Sequence, residues 1–236
     1  MASRVIWCAE VGSNHKGDKS LACEMIRQAA LAGATIAKFQ LGHKIPFKDN
    51  LSEAQAMRIK ATEWAADLKN WCDYFGIEFM ASIFSTSGLR VAQSVDQQRY
   101  KFPSRRAFAS HSDENYDNLL TWVLGLGRET FVSDDEFVSN QPHFKRLYCV
   151  PEYPTYPHQV SIPQQFGVSA RYYGYSTHVH GYADALVAVA RGARYVEKHV
   201  TLNKTEDSIK DNSFALSFGE FAEMVRVGNE VTRLVC

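Results

Sequence analysis

The chain has 236 residues, 45% of them hydrophobic, and its 26 Lys and Arg residues balance its 26 Asp and Glu residues to a formal net charge of zero. This composition is typical of a soluble globular protein, and the lack of a basic excess argues against a nucleic-acid-binding surface. No apolar run reaches the roughly 18 residues that a membrane span requires, so no membrane association is expected. The five cysteines are scattered and form no CxxC pair, and the N-terminus runs directly into a strand-like segment. We therefore expect no signal peptide and a cytoplasmic protein with free thiols.

Short β-rich runs alternate with longer helical segments along the chain. The predicted strands, in chain order, are Val5–Ala9, Thr35–Phe39, Ile77–Ala81, Arg99–Phe102, Thr130–Ser133, Phe144–Cys149, Tyr172–Tyr175 and Arg194–Lys198. The predicted helices are Lys19–Leu31, Ser52–Phe75 with Ser52 as its N-cap, Thr86–Ser94, Asn115–Leu124, Pro163–Ser169, Tyr182–Ala190 and Phe218–Leu234. Only the link after the fifth strand, around Asp134–Asn140, is too short for a full helix.

Strands that alternate with helices favour a parallel sheet, and eight such units without a break favour closure into a (β/α)₈ TIM barrel. We find no linker and no low-complexity segment, so the chain is predicted to be a single α/β domain over residues 1–236. The alternative architecture is an open doubly wound sheet. Such folds usually carry a glycine-rich phosphate loop after the first strand, and this chain has none there.

Polar side chains lie at the C-terminal ends of the predicted strands, where the chemistry of TIM-barrel enzymes takes place. They are Glu10 at the end of the first strand, Lys38 and Gln40 at the second, Ser82 at the third, Lys101 and Ser104 at the fourth, Ser176 and His178 at the seventh, and Glu197 and His199 at the eighth. Taken singly, each has a structural interpretation: a lone histidine is usually a hydrogen-bonded structural residue, and a lone lysine extends to solvent.

The joint pattern favours a binding site instead. Adjacent strands seven and eight each bring a histidine to the same rim, and two neutral imidazoles with open coordination positions suit a borderline divalent ion. An incompletely ligated ion is also what polarises a carbonyl. Lysines from strands two and four can bind a phosphate there, and a carboxylate such as Glu10 can move a proton or orient a water.

Five segments resemble those of the N-acetylneuraminate (sialic acid) synthases, in the family's order and over nearly the whole predicted barrel. Residues 9–17 (AEVGSNHKG) are similar to AEIGxNHxG, residues 32–40 (AGATIAKFQ) to AGADAVKFQ, residues 153–155 to YPT, residues 174–178 (GYSTH) to G(Y/L)SDHT, and residues 192–202 (GARYVEKHVTL) to GAxxxEKHFTL.

This resemblance implies an enzyme that condenses phosphoenolpyruvate with an N-acyl hexosamine, usually N-acetylmannosamine, to a nine-carbon 2-keto acid and phosphate. It implies a divalent metal cofactor, with Mn²⁺ expected and Mg²⁺, Co²⁺, Fe²⁺ or Zn²⁺ as alternatives. By the same resemblance, the metal ligands are His178 and His199, and phosphoenolpyruvate is held by Lys38, Lys101, Ser82 and Ser104, with Gln40 nearby. The site is lined by Ser176 and Glu197, and Glu10 contacts the reacting centre. The sugar is held with the help of Tyr153 and Asp211.

The departures from the family pattern lie mostly on the acceptor side. Phe102–Arg106 stands where the family has a glycine-rich IGSGE-type run, and Ser133–Asp135 stands where it has an STG-type turn. Pro151 stands in place of a small polar residue, and Thr177 in place of an aspartate. The sequence ends after the last barrel helix, where family members continue into an antifreeze-like domain that reaches over the partner's sugar site. We therefore expect either a different acceptor aldehyde or a separate protein that completes the site. A homodimer is the family's usual assembly.

Two other functions compete with the synthase hypothesis. A Schiff-base aldolase would use Lys38, Lys101 or Lys198, needs no metal, and leaves the two histidines unexplained. A degenerate barrel would bind a metabolite or a partner protein without turnover, which the altered loops after strands four and five favour. Against it, the residues that carry charge or bind metal at the strand ends are still present.

Overall fold

A computed structural model of the chain describes residues 5–42, 53–134, 136–205 and 210–235. Within these ranges, the strands of the main sheet are β1 (Ile6–Glu10), β2 (Ile36–Leu41), β3 (Glu78–Ile83), β4 (Tyr100–Phe102), β5 (Thr130–Val132), β6 (Phe144–Tyr148), β7 (Gly174–Thr177) and β8 (Tyr195–Thr201). All neighbouring pairs are parallel, and β1 pairs with β8 as well as with β2. This pairing closes the sheet, so the predicted TIM barrel is confirmed and the open-sheet alternative is wrong.

Helices surround the barrel. In the described residues they are α1 (Lys19–Leu31), α2 (Glu53–Glu63), α3 (Ala65–Phe75), α4 (Thr86–Ser94), α5 (Arg105–Ala109), α6 (Tyr116–Gly125), α7 (Ala183–Ala190) and α8 (Phe218–Val235). A short strand, β9 (Leu216–Ser217), pairs in parallel with the end of β8. None of these described helices combines the length and apolar character that crossing a bilayer requires.

Side-chain caps fix several helix starts where the sequence predicts them. The Asp18 carboxylate accepts hydrogen bonds from the Ser20 and Leu21 N–H groups and begins α1. The Ser85 hydroxyl accepts from the Gly88 N–H and begins α4. Both helices have their predicted bounds, because such a cap satisfies backbone N–H groups that have no partner within the helix.

The predicted single helix Ser52–Phe75 is wrong, because the chain forms two helices there. The backbone turns between α2 and α3 at Trp64, whose ring packs edge-on against His15 with 5.9 Å between the ring centroids. The predicted N-cap Ser52 lies outside the described residues.

The predicted helix Pro163–Ser169 is also wrong. The Phe166 N–H donates to the Arg191 carbonyl and the Gly167 N–H to the Tyr172 carbonyl, so the backbone bonds to neighbouring segments rather than within a helical turn. Conversely, α5 was not predicted; its N-cap is Ser104, whose hydroxyl accepts from the Ala107 N–H. The link after β5 has no helix in its described residues, as predicted.

The barrel interior has an apolar lower part and a polar upper part. We call the lower part the barrel floor; it consists of Cys8, Ile36, Met80, Phe131, Leu147 and Tyr195. All of these side chains are at most 1% exposed, and the Phe131 and Tyr195 rings stack with centroids 4.3 Å apart. The floor closes the barrel from below, so polar side chains above it are reached only from the C-terminal ends of the strands.

Helix α8 packs closely against Trp7 on the outside of β1. Trp7 is 1% exposed and its indole N–H donates to Asn229 Oδ1 over 3.1 Å. A Cβ atom added to Gly228 would lie 2.3 Å from Trp7 Cη2, so only glycine leaves room for the ring.

Gly228→Ala is expected to lower the free energy of unfolding by about 1–3 kcal/mol, because the new methyl group overpacks the Trp7 contact. Gly219→Ala is the control on the same helix, since its nearest atom, Ser217 Oγ, would be 4.0 Å away. Urea unfolding of both variants measures the difference. Equal stability of the two variants would contradict the packing of α8 on Trp7.

Candidate active site

A cavity of about 460 Å³ opens at the C-terminal ends of the barrel strands. Every site residue predicted from the sequence lines it: Glu10, Lys38, Gln40, Ser82, Lys101, Ser104, Tyr153, Ser176, His178, Glu197, His199 and Asp211. The strand register explains why they meet, since Glu10 is aligned with Lys38 on β2 and with His199 on β8. Residues aligned in parallel strands point to the same side of the sheet.

Lys38 is a buried cation held by two carboxylates. Its Nζ lies 2.6 Å from Glu10 Oε2 and 3.5 Å from Glu197 Oε1, and it donates a hydrogen bond to Ser82 Oγ over 2.8 Å. Burial alone would lower the pKa of Lys38, but the two carboxylates raise it above its ordinary value. The ammonium group is therefore charged at neutral pH.

Lys101 is the second buried cation, and its charge is compensated less strongly than that of Lys38. Its Nζ donates to Ser133 Oγ over 2.9 Å and to the Phe102 carbonyl over 3.2 Å, and it lies 4.0 Å from Glu197 Oε1. Burial lowers the pKa of Lys101, and Glu197 counteracts only part of this effect. Ser133, directly after β5, was not among the predicted site residues, although the predicted fifth strand ends at it.

Glu197 joins the two lysines. Burial would raise its pKa, but Lys101 and Lys38, with hydrogen bonds from the Tyr195 and Ser176 hydroxyls, lower it below its ordinary value. The Ser176 hydroxyl donates to Oε1 over 3.0 Å and the Tyr195 hydroxyl to Oε2 over 2.6 Å. Tyr195 was missed, although it lies two residues before Glu197 and hence on the same face of β8.

The side-chain amide of Gln40 binds the Glu10 carboxylate at the oxygen that does not face Lys38. Gln40 Nε2 donates to Glu10 Oε1 over 2.8 Å, and Gln40 Oε1 accepts from Arg58 Nη1 over 3.0 Å. Gly12 lies against this group in the left-handed backbone region, with φ of +54°. A Cβ atom there would be 3.3 Å from both Glu10 Oε1 and His199 Cε1, so glycine gives these side chains their room.

His178 and His199 form a buried pair whose ring centroids are 5.6 Å apart. Phe214 packs edge-on against both rings, and Tyr153 covers His178 with 4.1 Å between centroids. Burial, reinforced by His199, lowers the pKa of His178 well below its ordinary value, so this imidazole is neutral. The buried Nδ1 of His199 has no hydrogen-bond partner, and Asp211 Oδ2 lies 4.0 Å from it.

The pair therefore fits a divalent ion that the protein ligates only in part. Among the described residues, no group of three or more His, Cys, Asp or Glu side chains is arranged to hold a metal. The remaining positions of such an ion would be open to water or substrate, as Lewis-acid chemistry requires.

Several polar residues after the strands serve other purposes. Asn14 Nδ2 donates to the Val200 carbonyl over 2.8 Å, and His15 packs between Phe39 and Trp64, so neither lines the cavity. Lys198 also lies outside the cavity lining and donates to the Val179 carbonyl, which leaves Lys38 and Lys101 for the Schiff-base alternative.

The outer wall of the cavity contains residues that the sequence did not single out as site residues. Arg58 of α2 lies over the Phe84 ring, 5.4 Å from its centroid, and His111 meets the same ring edge-on at 5.6 Å. Arg106 of α5 forms a salt bridge with Glu152 across the mouth. Arg58 lies on a helix, whose inward-facing side chains are not marked by a strand end, so no local signal identifies it.

The model of the NeuB family matches residues 135–235. The human N-acetylneuraminate-9-phosphate synthase is 29% identical over an alignment that covers 92% of this chain and 67% of the human protein. The pseudaminic acid synthase of Campylobacter jejuni is 28% identical, with 94% and 72% covered. The crystal structure of the N-acetylneuraminic acid synthetase from Leptospira borgpetersenii, in complex with citrate, superposes with a TM-score of 0.82 at 25% identity, covering 98% of this chain and 85% of that one.

Gly12→Ala is expected to destabilise the protein by about 1–3 kcal/mol more than Gly127→Ala, because its methyl group crowds buried Glu10 and His199. Gly127 is the matched control: its φ of +72° imposes the same left-handed strain, and a Cβ atom there would meet nothing within 4 Å. Chemical unfolding measures both variants. Equal losses would mean that the site does not require the space at Gly12.

Proposed function

We propose that the protein condenses phosphoenolpyruvate with an aldehyde sugar of the N-acylhexosamine type. The match of the NeuB family model to residues 135–235 and the 28–29% identity to two synthases support this proposal. The products would be a 3-deoxy-2-keto acid of the sialic acid type and inorganic phosphate, which makes the protein a carbon–carbon bond-forming transferase. The observation that carries this proposal is the pair of buried lysines, both next to Glu197, in one cavity with two neighbouring histidines.

The lysine pair suits the anionic substrate. Phosphoenolpyruvate carries a phosphate and a carboxylate. Lys38 and Lys101 offer two ammonium groups, and the Ser82 and Ser104 hydroxyls line the same cavity. Charge-assisted hydrogen bonds in a water-poor site are stronger than the same bonds in water. Because Glu197 holds both cations in place before the substrate arrives, little reorganisation is needed on binding.

The reaction requires one C–C bond and the loss of phosphate. The enol carbon of phosphoenolpyruvate attacks the aldehyde carbon, whose oxygen takes up a proton. Water adds to the cationic carbon that bears the phosphate, and the tetrahedral intermediate collapses to the 2-keto acid as the C–O bond to phosphate breaks. Glu10 would orient this water and accept its proton, while Gln40 fixes the position of the carboxylate.

His178 and His199 would hold the metal cofactor, for which Mn²⁺ is our first choice among the borderline and hard divalent ions. When bound, such an ion polarises the aldehyde carbonyl. Tyr153 and Asp211, which line the cavity next to the histidine pair, would then contact the acceptor.

The first test is phosphate release from phosphoenolpyruvate with Mn²⁺, across a panel of aldehydes headed by N-acetylmannosamine. Wild-type protein is expected to release phosphate only with both metal and an aldehyde present. Lys101→Met should lower kcat/KM by about 100-fold or more, as the loss of one preorganised donor does elsewhere. Lys69→Met on α3 is the control, since Lys69 pairs with Asp73 and does not line the cavity.

The competing functions give different results in this assay. A Schiff-base aldolase would form a borohydride-trapped adduct at Lys38 or Lys101 and would turn over without metal. A degenerate barrel would bind phosphoenolpyruvate and Mn²⁺ but release no phosphate with any aldehyde. Either result would refute the synthase proposal.

His178→Ala and His199→Ala are each expected to abolish Mn²⁺ binding, because each removes one of two protein ligands. Electron paramagnetic resonance of free and bound Mn²⁺ measures this without turnover, and thermal unfolding checks that the variants are folded. His143→Ala is the control, since this ring binds the Leu124 carbonyl outside the cavity lining. Full Mn²⁺ occupancy in both histidine variants would refute the ligand assignment.

A further inference from the structure

The two oxygens of the Glu197 carboxylate have different partners. Oε1 faces the lysines, 3.5 Å from Lys38 Nζ and 4.0 Å from Lys101 Nζ, and accepts from the Ser176 hydroxyl over 3.0 Å. Oε2 accepts from the Tyr195 hydroxyl over 2.6 Å. This is the length of a strong hydrogen bond from a hydroxyl to a charged carboxylate. The barrel floor therefore binds one oxygen of Glu197, and the other oxygen faces both cations.

The distances from Glu197 to the two lysines are longer than hydrogen bonds. A charge-assisted N–H···O bond spans about 2.7–2.9 Å, so Glu197 stabilises both cations by its charge without occupying their N–H groups. An ammonium group has three N–H donors. Within the described part of the chain each Nζ has two closer partners, which are Glu10 and Ser82 for Lys38, and Ser133 and the Phe102 carbonyl for Lys101. Each lysine thus keeps one donor for a ligand.

Tyr195 is itself held in place by the barrel floor. The residue is 0% exposed and its ring stacks on Phe131 with 4.3 Å between the centroids. Its hydroxyl also shares a hydrogen bond with the Cys8 thiol, and Cys8 is aligned with Glu197 on the neighbouring strand. Burial raises the pKa of Tyr195 well above its ordinary value, so the hydroxyl keeps its proton. The floor therefore offers Glu197 a fixed hydrogen-bond donor.

We propose that Tyr195 is a positioning residue, whose hydroxyl holds the Glu197 carboxylate back from the two lysines and so keeps one donor of each for phosphoenolpyruvate. The inference rests on the proposed function, since it takes phosphoenolpyruvate as the anion. Without the hydroxyl, Oε2 would lose the bond that holds it, and a buried carboxylate oxygen without a partner is costly. Rotation toward Lys101 would satisfy the carboxylate with a donor that the substrate then loses. Tyr195 does not line the cavity, so it acts through Glu197.

Isothermal titration calorimetry of phosphoenolpyruvate, with Mn²⁺ present, tests this inference without turnover. Tyr195→Phe keeps the ring stacked on Phe131 and removes only the hydroxyl. We expect it to weaken phosphoenolpyruvate binding by about 10- to 100-fold, the range for a lost hydrogen bond to a charged group. Tyr175→Phe on β7 is the matched control, since Tyr175 is 1% exposed and its hydroxyl interacts with Asp184 outside the cavity lining. Its affinity should stay within about threefold of wild type, as for an independent site.

A double-mutant cycle tests whether Tyr195 acts through Glu197. Glu197→Gln removes the charge that can close on a lysine, so adding Tyr195→Phe to it should change the affinity by less than about threefold. An equally large loss in both backgrounds would mean that Tyr195 affects the cavity by another route, and would overturn the inference.

Replacing Tyr195 with 4-aminophenylalanine keeps an aromatic N–H donor at the same place. Because the donor is retained, phosphoenolpyruvate affinity should stay within about threefold of wild type, whereas a loss of about tenfold would contradict the inference. This comparison also serves if Tyr195→Phe does not fold, and thermal unfolding checks every variant.

Kinetics separate positioning from a merely structural effect. With an aldehyde that supports turnover, the loss in Tyr195→Phe should appear in the KM for phosphoenolpyruvate and not in kcat, because saturating substrate restores the lysine contacts. A lower kcat with an unchanged KM would indicate a smaller active fraction and would refute the positioning role.

The outcomes distinguish this inference from the proposed function. Unchanged phosphoenolpyruvate affinity in Tyr195→Phe overturns the inference alone and leaves the synthase proposal intact. Weaker binding in Tyr195→Phe, without phosphate release from any aldehyde in the wild type, supports the positioning role and refutes the synthase proposal. A wild-type protein that does not bind phosphoenolpyruvate refutes both.

Discussion

The buried interaction of Lys38 and Lys101 with Glu197 is the constraint on which the site depends. Transferring a charged group into a barrel interior costs several kcal/mol unless a partner and hydrogen bonds compensate it. Glu197 meets this need by lying between both ammonium groups and accepting from two hydroxyls. The barrel floor beneath excludes water, which strengthens every one of these interactions. The same arrangement that makes the charges tolerable also prepares them for an anionic ligand.

The loops that depart from the family pattern are ordered by a helix cap, salt bridges and a side-chain hydrogen bond. Where a glycine-rich turn is expected after β4, Ser104 caps α5, and Arg105 pairs with Asp117 and Asp134. Arg106 adds a link to Glu152 after β6. Where an aspartate is expected at Thr177, the threonine hydroxyl donates to the carboxylate of Asp184 from α7, so an acidic group is still supplied near β7. Of the substituted positions, Ser104 and Arg106 line the cavity, whereas Thr177 does not.

Much of the fold and site is predictable from the sequence because both depend on local signals. Caps such as Asp18 and Ser85 mark helix starts, and every predicted site residue lines the cavity, since the ends of parallel barrel strands converge. The prediction failed where tertiary contacts determine the local backbone conformation. The Phe166 N–H, for example, bonds to the Arg191 carbonyl instead of taking part in a helical turn. Arg58 was missed for the same reason, because the direction of a helical side chain depends on how its helix packs.

The pairing of β1 with β8 has a consequence for how the protein folds during synthesis. Glu10 and Lys38 emerge from the ribosome early, whereas Glu197 and His199 belong to the last barrel strand. Until β8 docks against β1, Lys101 lacks its nearest carboxylate and β1 has an open edge. This docking completes the sheet and places the Glu197 carboxylate near the lysines that it compensates. Non-local closure of this kind slows folding, and a nascent barrel would lack the complete lysine–carboxylate cluster until that final step.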